Sequence, residues 1–336
     1  MALTLCILAA LAAPSGGDAV TATLEPRPVS RWNFATPTEV WSKIGGGIPV
    51  PHVRGDRFLA HPDGPDGIFL MVDRDGDGNV DSKVKGVGGY VALRSKTKDG
   101  KEVHYGVRFR KAGSDWEYAC SSTMSGTVAG LPITLIDIDG NGRWNDYGVD
   151  GLILGKGKNA GFLSKVVSLR DELMNLEVSE DGTDVKLTPF EGETGEVEFS
   201  IDSRGRLAVA TVSDLTGKIS FAFEKNGKQV VPVGKYAITG GLLTKGKEQA
   251  RLATGKMRSV NVQSGKLAKI EIGGSVTADF RYELADGKLT VKPEIHYYGQ
   301  GGEEYVEWLP DNKSPKITVF DSRKKRPVES GRFASC

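Results

Sequence analysis

The sequence predicts an all-β protein made of antiparallel β-sandwich domains, and three patterns support this fold class. Several segments alternate between apolar and polar residues, which is the period of half-buried antiparallel strands. Turn-forming dipeptides separate such segments. Glycine is abundant, at 44 of 336 residues, and is spread between short apolar segments rather than gathered in one linker. Together these patterns indicate many short strands joined by many turns.

Each strand-like segment shows the alternation directly in its letters. In EVHYGVRFR the residues Val103, Tyr105, Val107 and Phe109 lie on one face, and charged residues occupy most of the other. The same period recurs in three later segments, which are 196–201 (EVEFSI), 219–223 (ISFAF) and 268–272 (AKIEI). Three dipeptides predict hairpin turns because they tolerate positive φ, namely Asp99-Gly100, Asn226-Gly227 and Asp286-Gly287.

One segment, 164–178 (SKVVSLRDELMNLEV), is the best helix candidate. Its apolar residues fit a helical period only in part. The charged run Arg170-Asp171-Glu172 divides the segment into two halves of strand length. We therefore expect a β-hairpin here rather than a helix.

Charge is nearly balanced, with 44 Lys and Arg against 43 Asp and Glu and a formal net charge of +1. This balance leaves no electrostatic footprint for nucleic acid, so we expect no nucleic-acid partner. The basic run Arg323–Arg326 lies between two strand-like segments and is typical of a solvated hairpin turn. A chain of this length can form two or three domains.

The N-terminus is typical of an exported protein. Leu3 to Ala13 is continuously apolar, too short to span a bilayer, and resembles the core of a secretory signal peptide. Gly17-Asp18-Ala19 offers a cleavage site, which predicts a signal peptide at 1–19. Lys and Arg are absent before the apolar core, so a buried first strand is the alternative. We expect a secreted, periplasmic or cell-envelope protein without a transmembrane span.

Two cysteines would remain after cleavage, Cys120 and Cys336. In an oxidising compartment they could form one disulfide bond that ties the C-terminus to the first third of the chain. The alternative is two free thiols, and the sequence leaves both open.

Two loops concentrate side-chain oxygens directly after apolar segments. Oxygen-bearing residues at alternate positions precede a glycine in both: Asp73, Asp75, Asp77 and Gly78 in loop 1, and Asp137, Asp139, Asn141 and Gly142 in loop 2. Numbered from the first aspartate, the next three positions are Asn79, Val80 and Asp81 in loop 1, and Arg143, Trp144 and Asn145 in loop 2. Ca²⁺ takes six to eight oxygen ligands, so such loops suit that ion.

Over these nine positions both loops resemble the calcium loops of EF-hand and dockerin proteins. The resemblance implies side-chain ligands at alternate positions and a backbone carbonyl at position seven. The bidentate acid of position twelve is replaced by Val84 and Gly148, and Asp146 and Asp150 could substitute in loop 2. The predicted Ca²⁺ ligands are Asp73, Asp75, Asp77, Asn79 and Asp81, with Asp137, Asp139, Asn141, Arg143, Asp146 and Asp150. The alternative is a pair of plain Asp/Asn/Gly turns.

The segments before the loops, GIFLMV and LPITLI, are strand-like rather than helical. These β-flanked loops are similar to those of thrombospondin type 3 and integrin FG-GAP repeats. We predict a calcium-loop β domain at 20–160 and a β-sandwich at 161–273. Residues 186–273 resemble carboxypeptidase regulatory-like or transthyretin-like sandwiches through VVPVGKYAITGG and VNVQSGKLAKIEIGG. A further sandwich portion is expected at 274–336.

The sequence holds no catalytic signature. The four histidines, His52, His61, His104 and His296, do not form the short-spaced pair of a zinc site. Glu303, Glu304 and Glu307 beside Trp308 could supply paired carboxylates, but spacing alone does not predict catalysis. Five aromatics could line a sugar platform or a core, with a core favoured: Trp32, Trp41, Trp116, Tyr118 and Trp144.

Three functions remain open, and enzymatic activity is the least supported. The preferred hypothesis is a secreted or envelope calcium-binding β protein with a structural or adhesive role. The second is a calcium-dependent carbohydrate-binding or glycan-processing protein. The third is a calcium-dependent protein-docking module, so the expected partner is an extracellular protein or glycan.

Overall fold

The computed structural model describes residues 19–53, 55–308, 310 and 313–333. It confirms the predicted all-β class: the regular structure of the described residues is β-strand, apart from the 3-10 turn at Pro65–Gly67 and a 3-10 conformation at Pro310. No helix in this part of the chain has the length and apolarity of a membrane span. The predicted signal peptide at 1–19 lies, except for Ala19, outside the described residues.

The described residues up to Pro189 form eighteen strands that assemble into five sheets. In chain order they are β1 (Val20–Thr23), β2 (Glu25–Pro28), β3 (Ser42–Lys43), β4 (Ile48–Pro49), β5 (Arg57–Phe58), β6 (Ala60–Asp63), β7 (Phe69–Val72), β8 (Ser82–Lys85), β9 (Gly88–Lys96), β10 (Glu102–Ala112), β11 (Asp115–Cys120), β12 (Ser122–Val128), β13 (Leu131–Ile136), β14 (Gly151–Leu154), β15 (Gly161–Phe162), β16 (Val166–Leu169), β17 (Glu172–Val178) and β18 (Asp184–Pro189). The sheet orders are β1-β18-β17-β16, β3-β11-β10-β9, β15-β14-β13-β12-β2, β6-β7-β8 and β4-β5.

The described residues after Pro189 form three more sheets, one of which has eight strands. Its strands are β19 (Thr194–Asp202), β20 (Arg206–Asp214), β21 (Ser220–Phe223), β22 (Gly227–Pro232), β23 (Gly234–Lys245), β24 (Glu248–Ala253), β25 (Val260–Val262), β26 (Leu267–Gly273), β27 (Thr277–Ala285), β28 (Lys288–Tyr298), β29 (Glu304–Val306), β30 (Lys316–Phe320) and β31 (Pro327–Arg332). The sheet orders are β22-β19-β26, β21-β20-β23-β24-β29-β28-β27 with β25 beside β23, and β30-β31.

Nearly all strand pairs are antiparallel, and β19 with β26 is the parallel exception. The alternating letters of the sequence place apolar side chains inward as predicted. In β10 the residues Tyr105, Val107 and Phe109 are buried, while Glu102 and Arg110 are exposed. Burying such side chains contributes roughly 1.5–3 kcal/mol each, which is why the period of two fixes the face of the strand.

Two large hydrophobic clusters form the interior. The first runs from Leu24 to Leu187 and the second from Val166 to Tyr305. In the second, the sheet of β19 and β26 shares its core with the eight-stranded sheet, in the manner of a sandwich. Strands β16–β18 contribute to the first cluster although they follow residue 160. The boundaries predicted at 160 and 273 stay predictions.

The segment between β2 and β3 connects the two parts of the molecule through charged contacts. Arg251 on β24 is buried, and its Nη1 donates to the Thr36 carbonyl oxygen at 2.9 Å. Glu39 lies 3.4 Å from Arg251 Nη2 and 3.0 Å from Arg108 Nη1 on β10. One carboxylate therefore bridges arginines that belong to the two parts.

Two of the three predicted dipeptide hairpins are confirmed. Asp99-Gly100 joins β9 to β10, and Asp286-Gly287 joins β27 to β28. The prediction at Asn226-Gly227 is wrong, because β21 pairs with β20 while β22 pairs with β19. Asn226 instead accepts a hydrogen bond from the Ile201 backbone N–H at 2.9 Å, so this turn leads from one sheet to the other. The basic run before Pro327 does connect paired strands, as expected.

Cys120 lies buried on β11, where loss of solvation raises the pKa of its thiol above the usual range. Cys336 lies outside the described residues. Pairing between the two cysteines therefore stays a prediction.

The segment 164–178 is a β-hairpin, as predicted, and not a helix. Strands β16 and β17 pair antiparallel, with Leu169 opposite Glu172. The two turn residues Arg170 and Asp171 have φ of 53° and 69°. A two-residue turn with both φ values positive matches the right-handed twist of the flanking strands.

The positive φ of Asp171, which is exposed, predicts the direction in which a substitution there changes stability. Replacing it with glycine (Asp171→Gly) should raise the free energy of unfolding by about 0.5 kcal/mol, because glycine has no steric cost at positive φ. Urea unfolding measures the change. The control Glu172→Gly, on the adjacent exposed strand position, should instead lower stability. A loss of about 1 kcal/mol for Asp171→Gly, as expected in a helix interior, would contradict the hairpin.

Candidate metal centre

Each acidic loop closes an antiparallel hairpin. Loop 1 (73–81) connects β7 to β8, with Val72 paired to Ser82. Loop 2 (137–150) connects β13 to β14, with Ile136 paired to Gly151. Apolar strands thus lead directly into aspartates, and the first aspartate of each loop remains at the edge of the core. Asp73 and Asp137 are each only 1% exposed.

The two loops repeat the same local hydrogen bonds. The first aspartate accepts backbone N–H groups from the residues three and five positions later: Gly76 and Gly78 bind Asp73 at 2.7 and 3.0 Å, and Gly140 and Gly142 bind Asp137 at 2.8 Å each. The third and fifth positions each accept the N–H two residues later. The sequence repeat is therefore also a repeat of backbone conformation.

Glycine at position six serves this curled conformation. Gly78 and Gly142 have φ of 93° and 78°, a region that residues with a side chain rarely adopt. At Gly142 a Cβ would also approach Val50 Cα to 2.7 Å. Backbone packing as well as the turn therefore requires glycine in loop 2.

Loop 1 brings three carboxylates together near the surface. One oxygen from each of Asp73, Asp75 and Asp77 lies within 4.8 Å of the other two. Asp75 and Asp77 are exposed. The backbone N–H of Asn79 donates to Asp77 at 2.7 Å and holds the pKa of that carboxyl below its usual range.

Two other predicted ligands of loop 1 make different contacts. Asp81 accepts the backbone N–H of Arg74 at 2.9 Å, and its second oxygen lies 3.6 Å from Arg74 Nε. The side-chain amide of Asn79 donates to Asp77 at 3.2 Å. Asp81 is thus not part of the three-carboxylate cluster. The structure concentrates the carboxylates of loop 1 at positions one, three and five.

Loop 2 builds a deeper cluster from Asp137, Asp139 and Asp150. One oxygen from each lies within 4.8 Å of the other two. Asp137 and Asp150 are buried, at 1% and 0% exposure, and Asp139 is half-buried. Asp150 comes just before β14, so pairing of β13 with β14 returns it to the start of the loop. Its expected role as a substitute for the acid missing at Gly148 stays a prediction.

Asp150 is held in that place by backbone donors. The N–H of Ile138 donates to its Oδ1 at 3.2 Å, and the N–H of Asp146 donates to its Oδ2 at 2.9 Å. Asp137 receives an additional donor from outside the loop, the phenol O–H of Tyr105 at 2.6 Å. Tyr105 comes from β10 in a different sheet, so loop 2 is fixed against the domain core.

The remaining predicted ligands of loop 2 surround the cluster. The Asn141 amide donates to Asp139 at 3.1 Å and to Asp146 at 2.7 Å. Asp146 thereby lies at the rim of the cluster. The Arg143 guanidinium lies 3.2 Å from Glu180, and the Arg143 backbone N–H donates to Asn141 at 2.7 Å. The expected role of Arg143 as a ligand through its backbone carbonyl oxygen stays a prediction.

Burial without a cation dominates the electrostatics of loop 2. Loss of solvation raises the pKa of Asp137 to about 7, partly opposed by the Tyr105 hydroxyl. The same effect, strengthened by the charge of Asp137, raises the pKa of Asp150 well above its usual range. Among the described residues, no Lys or Arg forms an ion pair with Asp137, Asp139 or Asp150.

Sequence reasoning missed Tyr105 as a member of this site. Its position on the apolar face of an alternating strand predicts a core residue, and it is one, at 2% exposure. Only the pairing of sheets in space brings its hydroxyl to Asp137. The weak signal in the sequence is a tyrosine where the neighbouring inward positions are valine and phenylalanine, because a buried phenol needs a polar partner.

The aromatic residues considered for a sugar platform pack in the core or against arginine side chains. Trp116, Tyr118 and Trp144 are buried in the first cluster, as the favoured core role predicted. Trp41 is half-buried, with the guanidinium groups of Arg108 and Arg110 over its ring at 5.1 and 4.3 Å. Arg108 also covers Trp32 at 4.6 Å.

The three glutamates near Trp308 are each engaged. Glu303 is fully buried and accepts from the Gly273 N–H at 2.8 Å and the Tyr305 hydroxyl at 2.9 Å. Glu304 lies 2.7 Å from His296 Nδ1, and Glu307 lies 3.0 Å from Arg251 Nε. Each glutamate therefore has a local partner, and the Oε2 atom of Glu303 is buried without a hydrogen bond to any described residue.

The raised pKa of Asp137 predicts the pH dependence of the calcium-free protein. In chelator, the native state holds this proton more tightly than the unfolded chain does. Stability contributed by the protonated form is therefore lost as pH rises from about 4 to about 7. Urea unfolding across this range should show the free energy of wild type falling relative to Asp137→Asn, which cannot titrate. A difference that is constant or rises with pH would contradict the shift.

Comparison of the chain with models of protein families, with curated proteins and with solved structures found no match. The chemistry of the two loops is therefore inferred from their own side chains and geometry.

Proposed function

We propose that this chain is a calcium-binding structural β protein in which loop 1 and loop 2 each hold one Ca²⁺. Export to the cell envelope or the exterior belongs to the same proposal. It is supported by the signal-like N-terminus and by the millimolar calcium that such loops need. Like EF-hand loops, these loops carry oxygen-bearing side chains at positions one, three and five, but they are flanked by strands.

One observation carries the proposal: the buried carboxylates of Asp137 and Asp150 converge with Asp139, and no Lys or Arg of the described residues forms an ion pair with them. An isolated buried carboxylate is costly, and two close together are costlier still. A divalent cation offsets both the loss of solvation and the mutual repulsion. Its preferred ligands are carboxylate and carbonyl oxygens, which are the groups that loop 2 concentrates.

The same reasoning ranks the two sites. Loop 2 offers half-buried and buried carboxylates fixed by Tyr105 and by backbone donors, so little ordering is needed on binding. Loop 1 offers one buried and two exposed carboxylates, and its Asp81 pairs with Arg74. We therefore infer that loop 2 binds more tightly. The calcium dissociation constant of loop 1 should be on the order of 10⁻⁴–10⁻³ M, as in extracellular calcium-binding modules.

The role of the ion follows from the elements that loop 2 touches. Tyr105 connects it to β10, the Trp144 N–H donates to the Glu180 carbonyl oxygen at 3.0 Å, and the Tyr147 hydroxyl donates to the Leu176 carbonyl oxygen at 3.1 Å. The partners lie on β10 and on β17 or the turn after it, so loop 2 contacts two sheets besides its own. A cation at loop 2 would thus stabilise the junction of the sheets, which is a structural role.

Calcium should therefore raise the melting temperature. With free Ca²⁺ at tenfold over its dissociation constant, each site adds about 1.4 kcal/mol by mass action. For a chain of 336 residues that is a shift in melting temperature of roughly 2 °C per site, because the entropy of unfolding grows with chain length. Differential scanning fluorimetry with chelator, Ca²⁺ and Mg²⁺ measures it. Mg²⁺ should do much less, because it requires a smaller octahedral shell and retains its waters.

Matched variants separate binding from ordinary turn chemistry. Asp137→Asn should abolish the larger share of the shift and Asp73→Asn the smaller share. The control Asp181→Asn alters an aspartate whose Oδ1 accepts from Ser179 and Thr183 in an ordinary turn. It should leave the calcium shift intact. Equal melting curves in chelator and in millimolar calcium for wild type would refute the proposal.

A further inference from the structure

The β27–β28 hairpin ends the eight-stranded sheet. Strand β27 (Thr277–Ala285) pairs with β28 on one side, and none of the described strands pairs with its other side. Its residues are exposed apart from Phe280, which is half-buried. The register shift in this hairpin falls between Phe280 and Tyr282, opposite Ile295 and Val291, so the additional residues lie on β28. The outer edge of β27 is a continuous row of backbone donors and acceptors.

One face of this hairpin is apolar and largely bare. Tyr282 and Leu284 are 64% and 71% exposed, and Leu289, which pairs with Leu284, is 38% exposed. Among the described residues, Phe333 covers the base of the hairpin, where it packs against Phe280 with ring centroids 5.6 Å apart. A free edge strand beside exposed apolar side chains favours pairing with another strand.

The opposite face carries two charges without partners. Arg281 and Glu283 are both exposed, and neither forms an ion pair with another described residue. They stand two residues apart on the same strand, with Tyr282 between them. Asp279 differs, because Lys256 already holds its carboxylate.

We propose that the edge of β27 pairs with β27 of a second copy of this chain, antiparallel about a twofold axis at Tyr282. In that register Arg281 stands opposite Glu283 of the other copy, and symmetry makes the same pair twice. Phe280 stands opposite Leu284, and the two Tyr282 rings meet on the axis. Directly opposite side chains in an antiparallel pair interact, so both faces of the strand become complementary.

Charge selects this register over its neighbours. An axis at Arg281 would oppose two arginines, and an axis at Glu283 would oppose two glutamates. An axis at Phe280 would set Arg281 against Asp279, which Lys256 already engages, and would leave Glu283 without a cation. Only the axis at Tyr282 pairs both free charges. Like charges directly opposite each other destabilise strand pairing, so the alternatives are disfavoured.

The contact is small, because it joins single edge strands. Stable dimer interfaces bury on the order of 1,200–2,000 Å², and two nine-residue strands cannot supply that area alone. The dimer is therefore weak and dependent on concentration. The cross-strand pairs decide whether it forms, so charge substitutions should have a large effect.

Sedimentation velocity on the full chain over a range of concentrations tests the proposal. Wild type should show a reversible monomer–dimer equilibrium. Arg281→Glu or Glu283→Arg alone should weaken dimerisation by about tenfold or more, because each places like charges opposite each other twice. The double variant Arg281→Glu with Glu283→Arg should restore it. The control Lys288→Glu reverses an exposed charge on β28 and should leave the equilibrium unchanged.

A second measurement reports the register. Tyr282→Cys, in a chain with Cys336→Ser, should oxidise to a disulfide-linked dimer, because directly opposite Cα atoms lie about 4.5–5.5 Å apart. Mass spectrometry should find position 282 linked to position 282. A monomer at every concentration, as expected if another segment of the same chain covers the edge, would overturn the proposal. So would a dimer that both single charge reversals leave unchanged.

Discussion

The buried acidic cluster of loop 2 is the constraint on which the N-terminal half depends. Asp137 and Asp150 lie in the interior with exposures of 1% and 0%, and both reach toward Asp139. Backbone N–H groups and the Tyr105 hydroxyl supply partial compensation. These are neutral donors, and a site with several carboxylates needs either protons or a cation. The charge state of this cluster therefore connects solution conditions to the packing of several sheets.

The fold positions this cluster through hairpin closure rather than through a helix pair. Antiparallel pairing of β13 with β14 returns the chain to its own start, so Asp150 meets Asp137. Antiparallel pairing of β7 with β8 closes loop 1 in the same way, but no acid from the end of that loop joins its cluster of Asp73, Asp75 and Asp77. A loop repeated in sequence thus yields one buried and one surface cluster. The difference comes from what each hairpin packs against.

Much of this architecture could be predicted from the amino-acid sequence alone. The alternation in EVHYGVRFR determined which face of β10 is buried, and Arg170-Asp171-Glu172 correctly marked a turn inside an ambiguous segment. The three-carboxylate cluster of loop 1 was predicted because its residues are close together in the sequence. The Asn226-Gly227 error has the opposite cause: a dipeptide specifies a turn, but it does not specify whether the flanking strands pair with each other.

The contacts that the sequence could not supply are those between distant elements. Tyr105 reaches Asp137 across 32 residues, and Glu39 bridges Arg108 and Arg251, which are separated even further along the chain. Local propensity and periodicity contain no information on such long-range contacts, because the contacts depend on how the sheets pack. The exposed charges of Arg281 and Glu283 are a similar case, since only the sheet order places them at an edge.

Direct measurement of calcium stoichiometry tests the central claim most directly. Equilibrium dialysis of the full chain against millimolar calcium at about pH 7.5 should find two ions bound per chain, with the tighter one lost in Asp137→Asn. Wild-type protein that retains less than one calcium ion per chain under these conditions would contradict the account. The buried carboxylates of loop 2 would then be compensated by protons alone.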